Sequence, residues 1–343
     1  MAWDELYETA RTILADNKGI LAADESTGTI AKRFDAIGVE STEETRRAYR
    51  NLLFTTAGME QFIGGVILYD ETIRQRSDDG TPFPELLAAK GVVPGIKVDT
   101  GAKPMALHPG ELVTEGLDGL RERLIEYYEL GARFAKWRAT IIIGDGTPTN
   151  FAIDANAHAM ARYAALCQEA DIVSIVEPEI LMDGDHDIDA CEEATGRTLD
   201  ALYKQMVAHR LDLPGTLLKV NMIVPGKGNP TQDDDEAIAG ATIRCLSETV
   251  PASVPGIVFL SGGMSDEQAT SRLDAMNRML AAGDGAPWAL SFSYGRALQV
   301  PALTAWGGDP RNVAAGQRAL AHRATMNGRA RDGAYDPAME SAA

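Results

Sequence analysis

The stretch Gly215-Thr-Leu-Leu-Lys-Val-Asn-Met222 has the pattern of a buried β-strand, yet it carries a charged amine, Lys219, between Leu218 and Val220. A fully buried lysine is rare unless it is paired, because taking an ammonium out of water is unfavourable. Burial favours the neutral amine, which is a nucleophile that can form a Schiff base with a carbonyl group. Considered alone, a strand-end lysine that reaches solvent is the more common case. The rest of the sequence must therefore show which of these two interpretations of Lys219 is correct.

Seven further apolar runs resemble this strand, and a segment with helical periodicity follows each run. Helix starts are predicted between runs at two capping boxes, Ser41 with Glu44 and Ser265 with Gln268. Continuous apolar strands that alternate with helices indicate a parallel sheet covered by helices. We predict an α/β fold, a single (β/α)8 TIM barrel with additional N- and C-terminal segments. The eight runs cover residues 19–23, 64–69, 93–98, 132–137, 172–176, 216–222, 256–260 and 288–293.

The domain organisation follows from length and from the absence of linkers. A chain of 343 residues could hold two domains, but no low-complexity tract divides it, so we predict one domain over residues 1–343. An open doubly wound sheet is the main competing fold, and it lacks support because no glycine-rich nucleotide motif follows the early runs. The segment 328–343 is rich in Gly, Ala, Asp and Pro and is predicted to be a mobile C-terminal tail.

The composition excludes several kinds of partner. The net charge of −18 argues against a broad basic face for nucleic acid, so an anionic ligand needs a local cluster of Lys and Arg. No apolar run is long enough to cross a membrane and the first residues lack a signal-peptide pattern, which predicts a cytoplasmic protein without membrane contact. Cys167, Cys191 and Cys245 lack metal or disulfide spacing and are predicted to be reduced and structural.

Polar residues occupy the C-terminal ends of seven of the eight predicted strands. Active sites of such barrels lie at these ends, so residues that are distant in sequence form one ring. This convergence favours an active site over isolated salt bridges and makes Lys219 a candidate Schiff-base former. The ring contains Asp24, Lys97, Lys136, Arg138, Glu177, Glu179, Lys219, Ser261, Gly262, Gly263, Ser293, Tyr294, Gly295 and Arg296.

Glu177-Pro-Glu179 brings two carboxylates to the ring beside Lys136 and Lys219. A charged lysine next to a second amine favours the neutral form of that amine, and a carboxylate can carry protons to and from it. A structural ion-pair network is the alternative. Asp24 is compatible with an acid/base role and with a helix cap, and the sequence leaves both open.

The glycines at the seventh and eighth strand ends suit a phosphate group. Bare backbone amides approach phosphate oxygens closely, and Arg296 adds a fork of donors. The alternative for Ser261-Gly-Gly263 is a tight turn before a helix. Lys97 and Arg33 add positive charge on the opposite side of the ring, which predicts a substrate with a phosphate at each end.

A metal site is considered at Asp183-Gly-Asp-His-Asp-Ile-Asp189, which is rich in oxygen ligands. A calcium loop that begins at Asp183 needs glycine where Ile188 stands and glutamate where Ala194 stands. The five histidines have no paired zinc spacing. We therefore predict no metal.

Nine motifs, in order along most of the chain, resemble class I fructose-1,6-bisphosphate aldolase. The resemblance implies a small-molecule sugar bisphosphate as substrate, no cofactor, and a homo-oligomer, with tetramers common in the family. The motifs are Leu21-Ala-Ala-Asp-Glu-Ser-Thr-Gly28, Gly64-Gly-Val-Ile-Leu68, Gly95-Ile-Lys-Val-Asp99, Phe134-Ala-Lys-Trp-Arg138, Val176-Glu-Pro-Glu-Ile-Leu181, Asp183-Gly-Asp-His-Asp187, Gly215-Thr-Leu-Leu-Lys219, Phe259-Leu-Ser-Gly-Gly263 and Phe292-Ser-Tyr-Gly-Arg-Ala-Leu298.

The resemblance also implies a reaction, the reversible cleavage of fructose 1,6-bisphosphate to dihydroxyacetone phosphate and glyceraldehyde 3-phosphate in glycolysis and gluconeogenesis. Lys219 is implied as the Schiff-base residue, with Glu177 as general acid/base and Asp24 as base on the C4 hydroxyl. Lys136 is implied as an electrostatic partner, and Glu179 as the residue that orients Lys219. The C1 phosphate is implied at Ser261, Gly262, Gly295 and Arg296, and the C6 end at Ser26, Thr29, Arg33, Lys97 and Arg138.

Two features depart from the family pattern. Val220 stands where the family often has proline after the Schiff-base lysine, which restores a backbone donor. Many animal relatives end in a flexible tail whose terminal tyrosine assists proton transfer at C3, whereas this sequence ends Glu340-Ser-Ala-Ala343. Tyr335, another group or a phosphate oxygen are the candidates for that transfer.

Two other functions remain as alternatives. One is a different lysine-iminium barrel, such as a transaldolase-like enzyme, which has less need for two phosphate-binding ends. The other is a noncatalytic sugar-phosphate sensor on the same barrel. The presence of Asp24, Glu177 and Lys219 together argues against the sensor.

Overall fold

Ten β-strands are present in the computed structural model, which describes residues 3–283 and 285–342. They are β1 (Gly19–Ala22), β2 (Ile63–Leu68), β3 (Val93–Lys97), β4 (Gly101–Pro104), β5 (Leu112–Glu115), β6 (Phe134–Ile141), β7 (Val173–Ile180), β8 (Thr216–Val220), β9 (Gly256–Phe259) and β10 (Ala289–Tyr294). Eight of them close into a barrel in the order β1-β2-β3-β6-β7-β8-β9-β10, with all neighbours parallel. The predicted (β/α)8 TIM barrel is confirmed.

Helices cover the outside of the barrel and its N-terminal end. The α-helices are α1 (Trp3–Ile13), α2 (Thr27–Asp35), α3 (Glu43–Thr55), α4 (Asp70–Ile73), α5 (Phe83–Ala89), α6 (Leu120–Glu129), α7 (Asn150–Glu169), α8 (Ile188–Ala208), α9 (Asp235–Thr249), α10 (Asp266–Ala282), α11 (Arg296–Trp306) and α12 (Val313–Arg331). Short 3-10 helices cover Met59–Gln61, Leu213–Gly215, Pro310–Asn312 and Pro337–Ala342. None of the helices in the described ranges is long and apolar enough to cross a membrane.

Some local predictions were confirmed and others were wrong. The capping box of Ser265 with Gln268 begins α10 as predicted. The box predicted for Ser41 with Glu44 is wrong, because Thr42 caps α3 and Thr45 completes that box. The antiparallel pair β4-β5 was not predicted, since both strands are only four residues long and β4 is largely exposed.

The three cysteines are free and buried, in agreement with their predicted structural role. Residues 328–331 belong to the end of α12, where Gly328 and Ala330 are buried. The mobility predicted for the segment beyond them stays a prediction.

The barrel interior is apolar at its N-terminal end. Alternate residues of a strand face the same side, so positions two apart line the interior together. Leu6 and Ile13 of α1 pack against this end of the barrel and close it. The interior residues in contact there are Ile20, Ala22, Ile67, Phe134, Val173, Ile175, Leu217 and Val258.

Two strand glycines make this closed end possible. A Cβ at Gly64 would lie 2.3 Å from the Ile13 carbonyl oxygen, so only glycine lets α1 approach β2. A Cβ at Gly95 would lie 2.3 Å from the Phe134 ring, which fills the space beside β3. Dense packing of this kind stabilises the N-terminal end of the barrel and leaves the C-terminal end of the interior open.

Candidate active site

A cavity of about 710 Å³ lies at the C-terminal ends of the barrel strands. All the residues predicted for catalysis or substrate binding line it, although they come from seven strand ends and from α2. This placement agrees with the expected position of active sites in such barrels. The residues are Lys219, Glu177, Asp24, Lys136, Glu179, Ser26, Thr29, Arg33, Lys97, Arg138, Ser261, Gly262, Gly295 and Arg296.

Four charged side chains form a continuous chain of contacts on one wall. Lys219 Nζ lies 3.1 Å from Glu177 Oε1, and Lys136 Nζ lies 3.1 Å from Glu177 Oε2. Lys136 Nζ also lies 2.7 Å from Asp24 Oδ2. The two lysine side chains are each only 5% exposed, so both amines are buried with carboxylate partners. Glu177 thus contacts both amines.

Burial and charge act against each other on this wall. Burial would raise the pKa of Asp24 and of Glu177, but the positive charges of Lys136 and Lys219 outweigh it and leave both pKa values below their usual range. Burial would lower the pKa of Lys136, but Asp24 and Glu177 outweigh it and raise this pKa. Both carboxylates and Lys136 are therefore charged at neutral pH.

The geometry of Glu177 suits proton transfer. Its Oε2 atom is buried and, within the described part of the chain, has no aligned hydrogen-bond donor despite its 3.1 Å ion-pair contact with Lys136. The other oxygen, Oε1, lies 3.1 Å from the Lys219 amine, and a carboxylate at this distance can take a proton from the amine and return it. The wall can thus support chemistry at the Lys219 amine.

A second set of ion pairs shapes the neighbouring wall. Arg138 Nε donates to Glu179, and Asp99 accepts from Lys97 Nζ at 2.6 Å. Asp99 Oδ2 also accepts from the Arg138 backbone N–H at 3.2 Å. Asp99 was not predicted as a site residue, although its place two residues after Lys97, at the end of β3, is a usable signal.

Strands β6 and β7 continue past the charged residues that were predicted to end them. Arg138 and Glu177 are paired in the ladder, and pairing extends to Ile141 and Ile180. The predicted strands end too early because charged side chains interrupt the apolar pattern while the backbone ladder continues.

One end of the cavity is rich in free donors. Gly295 precedes α11 and Arg296 is its first residue, so the N-terminus of this helix, where backbone N–H groups lack intrahelical partners, lies at this end. Among the described residues Arg296 has no carboxylate partner, and a Cβ at Gly262 would lie 3.3 Å from Arg296 Nη2. Ser261 Oγ accepts from the Ala297 N–H at 3.4 Å. This end can hold an anion such as phosphate.

A second cationic region is built on Lys97 of β3 and on the start of α2, which follows β1. Ser26 is the N-cap of α2 but makes no side-chain cap bond, and its hydroxyl lies 3.1 Å from that of Thr29. Arg33 pairs with Glu25, a buried residue that was not predicted although it lies between two predicted positions. Lys32 also lines the cavity. Cationic side chains therefore line the cavity both on the β3 and α2 side and beside β10.

The acidic segment considered as a metal site has a structural role. Asp187 caps α8 by accepting from the Ala190 N–H at 2.9 Å, and Asp183 lies 3.6 Å from Lys227 Nζ. Across residues 3–283 and 285–342, no group of three or more His, Cys, Asp or Glu side chains is arranged to hold a metal ion.

Tyr335, one of the candidates for proton transfer at C3, lies outside the cavity. It is buried, its backbone N–H donates to Asp274 on α10 at 2.9 Å, and its hydroxyl donates to Glu340 at 2.9 Å. Glu340 in turn pairs with Arg323 on α12 at 2.6 Å. The observed arrangement does not bring this hydroxyl to Lys219.

A closed (β/α)8 barrel whose strand ends hold a buried lysine, ion-paired carboxylates and two cationic regions has the layout of a barrel enzyme with an anionic substrate. Comparisons with known proteins specify the family. Residues 5–343 match the family model described as fructose-bisphosphate aldolase class-I.

Individual relatives agree with this match. A Xanthomonas campestris pv. campestris protein named "Probable fructose-bisphosphate aldolase class 1" is 55% identical over 96% of this chain and 97% of its own length. An Arabidopsis thaliana protein named "Fructose-bisphosphate aldolase 6, cytosolic" is 53% identical over 97% and 92%. A solved structure of Plasmodium falciparum fructose-bisphosphate aldolase, in complex with TRAP and a small-molecule inhibitor, has a TM-score of 0.94 at 45% identity and covers 97% of this chain and 95% of that one.

The chain belongs to the class I fructose-bisphosphate aldolase family and is a lyase. The resemblance noted in the motifs and the predicted enzyme class are both confirmed. Glycolysis follows from family membership.

Proposed function

We propose that this aldolase reversibly cleaves fructose 1,6-bisphosphate to dihydroxyacetone phosphate and glyceraldehyde 3-phosphate through a Schiff base on Lys219, without a metal ion, in glycolysis and gluconeogenesis. The observation that carries this proposal is the position of Lys219 Nζ, which lines the cavity 3.1 Å from Glu177 Oε1. A buried amine beside a carboxylate can lose a proton, attack a carbonyl and then lose water.

The proposed reaction assigns one step to each charged residue of the wall. The Lys219 amine attacks the C2 carbonyl, and Glu177 moves the protons that allow water to leave and the iminium to form. Asp24 takes the proton of the C4 hydroxyl, and C4 becomes the aldehyde of glyceraldehyde 3-phosphate, which leaves. The electrons of the broken C3–C4 bond move to the iminium, which becomes an enamine. Protonation at C3 and hydrolysis release dihydroxyacetone phosphate. Lys136 contributes a fixed positive charge, and Glu179 orients the site through Arg138.

The two cationic ends of the cavity are proposed to hold the two phosphates. Helix-start amides and Arg296 support the assignment of the C1 phosphate to that end. The C6 end is assigned to the side of α2 and β3. We propose Ser261, Gly262, Gly295 and Arg296 for the C1 phosphate and Ser26, Thr29, Arg33, Lys97 and Arg138 for the C6 end.

Borohydride reduction in the presence of dihydroxyacetone phosphate, followed by peptide mapping, tests the proposal. We expect one covalent adduct, on Lys219, that forms equally well with EDTA present. Lys219→Met should form no adduct, whereas Lys204→Met, which changes an exposed lysine of α8, should react as the wild type does. An adduct on Lys136, or one that persists in Lys219→Met, would contradict the assignment.

We further propose a cytoplasmic homo-oligomer. The name of the cytosolic Arabidopsis relative supports the location, and the family resemblance supports an oligomer, commonly a tetramer. Light scattering coupled to size-exclusion chromatography at micromolar concentration tests the second statement, and a monomer mass would contradict it.

A further inference from the structure

Three buried polar side chains, one of them in the cavity wall and two behind it, are not used by the proposed reaction. Glu25, Arg50 and Gln299 are 8%, 2% and 1% exposed. Glu25 follows β1, Arg50 lies on α3 and Gln299 lies on α11. An apolar cluster of similar volume would avoid the desolvation cost of these groups, so their retention needs a reason other than packing.

The three side chains form a closed ring of hydrogen bonds. Arg50 Nη2 donates to Glu25 Oε2 at 2.6 Å, and Arg50 Nη1 donates to Gln299 Oε1 at 3.1 Å. Gln299 Nε2 donates to Glu25 Oε1 at 2.9 Å. Both oxygens of the Glu25 carboxylate are therefore held from behind, which fixes its orientation.

The fixed carboxylate holds an arginine that faces the cavity. Arg33 Nη1 donates to Glu25 Oε1, and the Arg33 side chain is 21% exposed whereas that of Arg50 is 3% exposed. Burial would raise the pKa of Glu25, but Arg33 and Arg50 outweigh it and lower this pKa. Two guanidinium groups share one carboxylate, so one positive charge is uncompensated and only Arg33 can present it to a ligand.

Gln299 also joins this ring to the catalytic wall. Its Nε2 atom donates to the Ala22 carbonyl oxygen at 2.6 Å. Ala22 ends β1 two residues before Asp24, and Gln299 lies one turn after Arg296 on α11. The same side chain therefore links the strand that carries Asp24 with the helix that begins at the other phosphate end.

We infer that Glu25, Arg50 and Gln299 are positioning residues that hold Arg33 in place for the phosphate at the C6 end of the substrate. The inference rests on the proposed function. In this proposal Arg33 contacts the phosphate, and the other three side chains act through Arg33. Their effect should consequently depend on whether the ketose carries a C6 phosphate.

The test compares fructose 1,6-bisphosphate with fructose 1-phosphate, which lacks that phosphate. Gln299→Met keeps the side-chain length and removes the hydrogen bonds. We expect KM for the bisphosphate to rise about fivefold, the equivalent of one hydrogen bond, while kcat/KM for fructose 1-phosphate stays within about twofold. Gln317→Met is a matched control because it removes bonds from α12 to Leu52 and Thr55 of α3, away from Arg33. It should change the two substrates equally.

A double variant separates positioning from a general structural effect. Arg33→Gln should raise KM for the bisphosphate further, and Gln299→Met combined with Arg33→Gln should match Arg33→Gln alone, because the two act through one contact. If Gln299→Met does not fold, Arg50→Lys replaces it, since it keeps the buried charge and loses the two-pronged contact. Equal losses on both ketoses, or additive losses in the double variant, would overturn the inference.

Borohydride trapping with dihydroxyacetone phosphate keeps this inference distinct from the proposed function. Trapping on Lys219 in both wild type and Gln299→Met, combined with equal losses on the two ketoses, would overturn the positioning role and leave the Schiff base standing. Failure of trapping in the wild type would overturn the proposed function itself.

Discussion

The two ends of the barrel interior are built from the same strands but differ in kind. On β8, Leu217 belongs to the apolar N-terminal end and Lys219, two residues later, lines the cavity. On β7, Ile175 is apolar and Glu177 is charged in the same way, and on β6 Phe134 precedes Lys136. In each pair the two side chains point into the barrel from the same face of the strand. They differ in polarity, which changes from apolar to charged along the barrel axis.

This contrast separates stability from activity. The N-terminal end gains stability from apolar burial and from α1, which closes it. At the C-terminal end the desolvation of the charges offsets part of the attraction within the ion pairs, so these residues should contribute less to stability than the apolar end does. Substitutions at the charged C-terminal end should therefore mainly lower activity. Substitutions at the apolar N-terminal end should mainly lower the free energy of unfolding.

The largest effect is expected at the charged end, for Lys219→Met. Removal of the proposed nucleophile should lower kcat on the order of 10⁴-fold or more, because no other group can form the covalent intermediate. The thermal transition should remain cooperative, since Glu177 keeps Lys136 as a partner. Steady-state assays and circular dichroism melts check both points, with Lys204→Met as control. Activity within tenfold of wild type would show that the charged end does not depend on Lys219 for catalysis.

The next largest effect belongs to the apolar end, for Phe134→Ala. The ring is fully buried between strands, so its removal should lower the free energy of unfolding by about 3–5 kcal/mol. The kcat per folded molecule should change little at low temperature, because Phe134 lies below the cavity. Urea unfolding and titrated active-site assays provide the measurements. Phe151→Ala, which truncates a ring that is 57% exposed, should stay within about 0.5 kcal/mol of wild type; an equal loss in both variants would contradict the assignment.

Acid should weaken the charged end more than the apolar end. Asp24 and Glu177 have folded-state pKa values below their usual 3.8 and 4.5, so their stabilisation is complete above those values and is lost as the pH falls below them. Urea midpoints measured between pH 7 and pH 3 should decline less steeply for Glu177→Gln than for wild type. Glu8→Gln, an exposed change on α1, should decline like wild type. Parallel declines in all three proteins would show that Glu177 is not linked to folding.

The same contrast explains what the sequence could predict. Continuous apolar runs and the helical segments between them predict the barrel and place the charged residues at one end, because both depend on local pattern. Contacts between distant segments leave no such pattern. Arg50 and Gln299 are separated by 249 positions, and neither residue is unusual in its own helix. Similarly, Thr42 caps α3 where Ser41 was predicted. Both neighbours carry a hydroxyl group that can cap a helix, and only the backbone conformation determines which of them does so.

The smallest effect is expected for Tyr335→Phe, outside both ends. The substitution removes one hydrogen bond to Glu340, which keeps Arg323 as a partner, so the free energy of unfolding should fall by about 1 kcal/mol. Tyr203→Phe is the matched control, since the buried Tyr203 hydroxyl has no hydrogen-bond partner in the described part of the chain, and its removal should not destabilise the fold. Because Tyr335 lies away from Lys219, kcat should change less than about twofold, a shift well below one kcal/mol. A tenfold drop in kcat with an intact fold would mean that this hydroxyl reaches the cavity during turnover, and the carboxylates of the wall would then not be sufficient for proton transfer at C3.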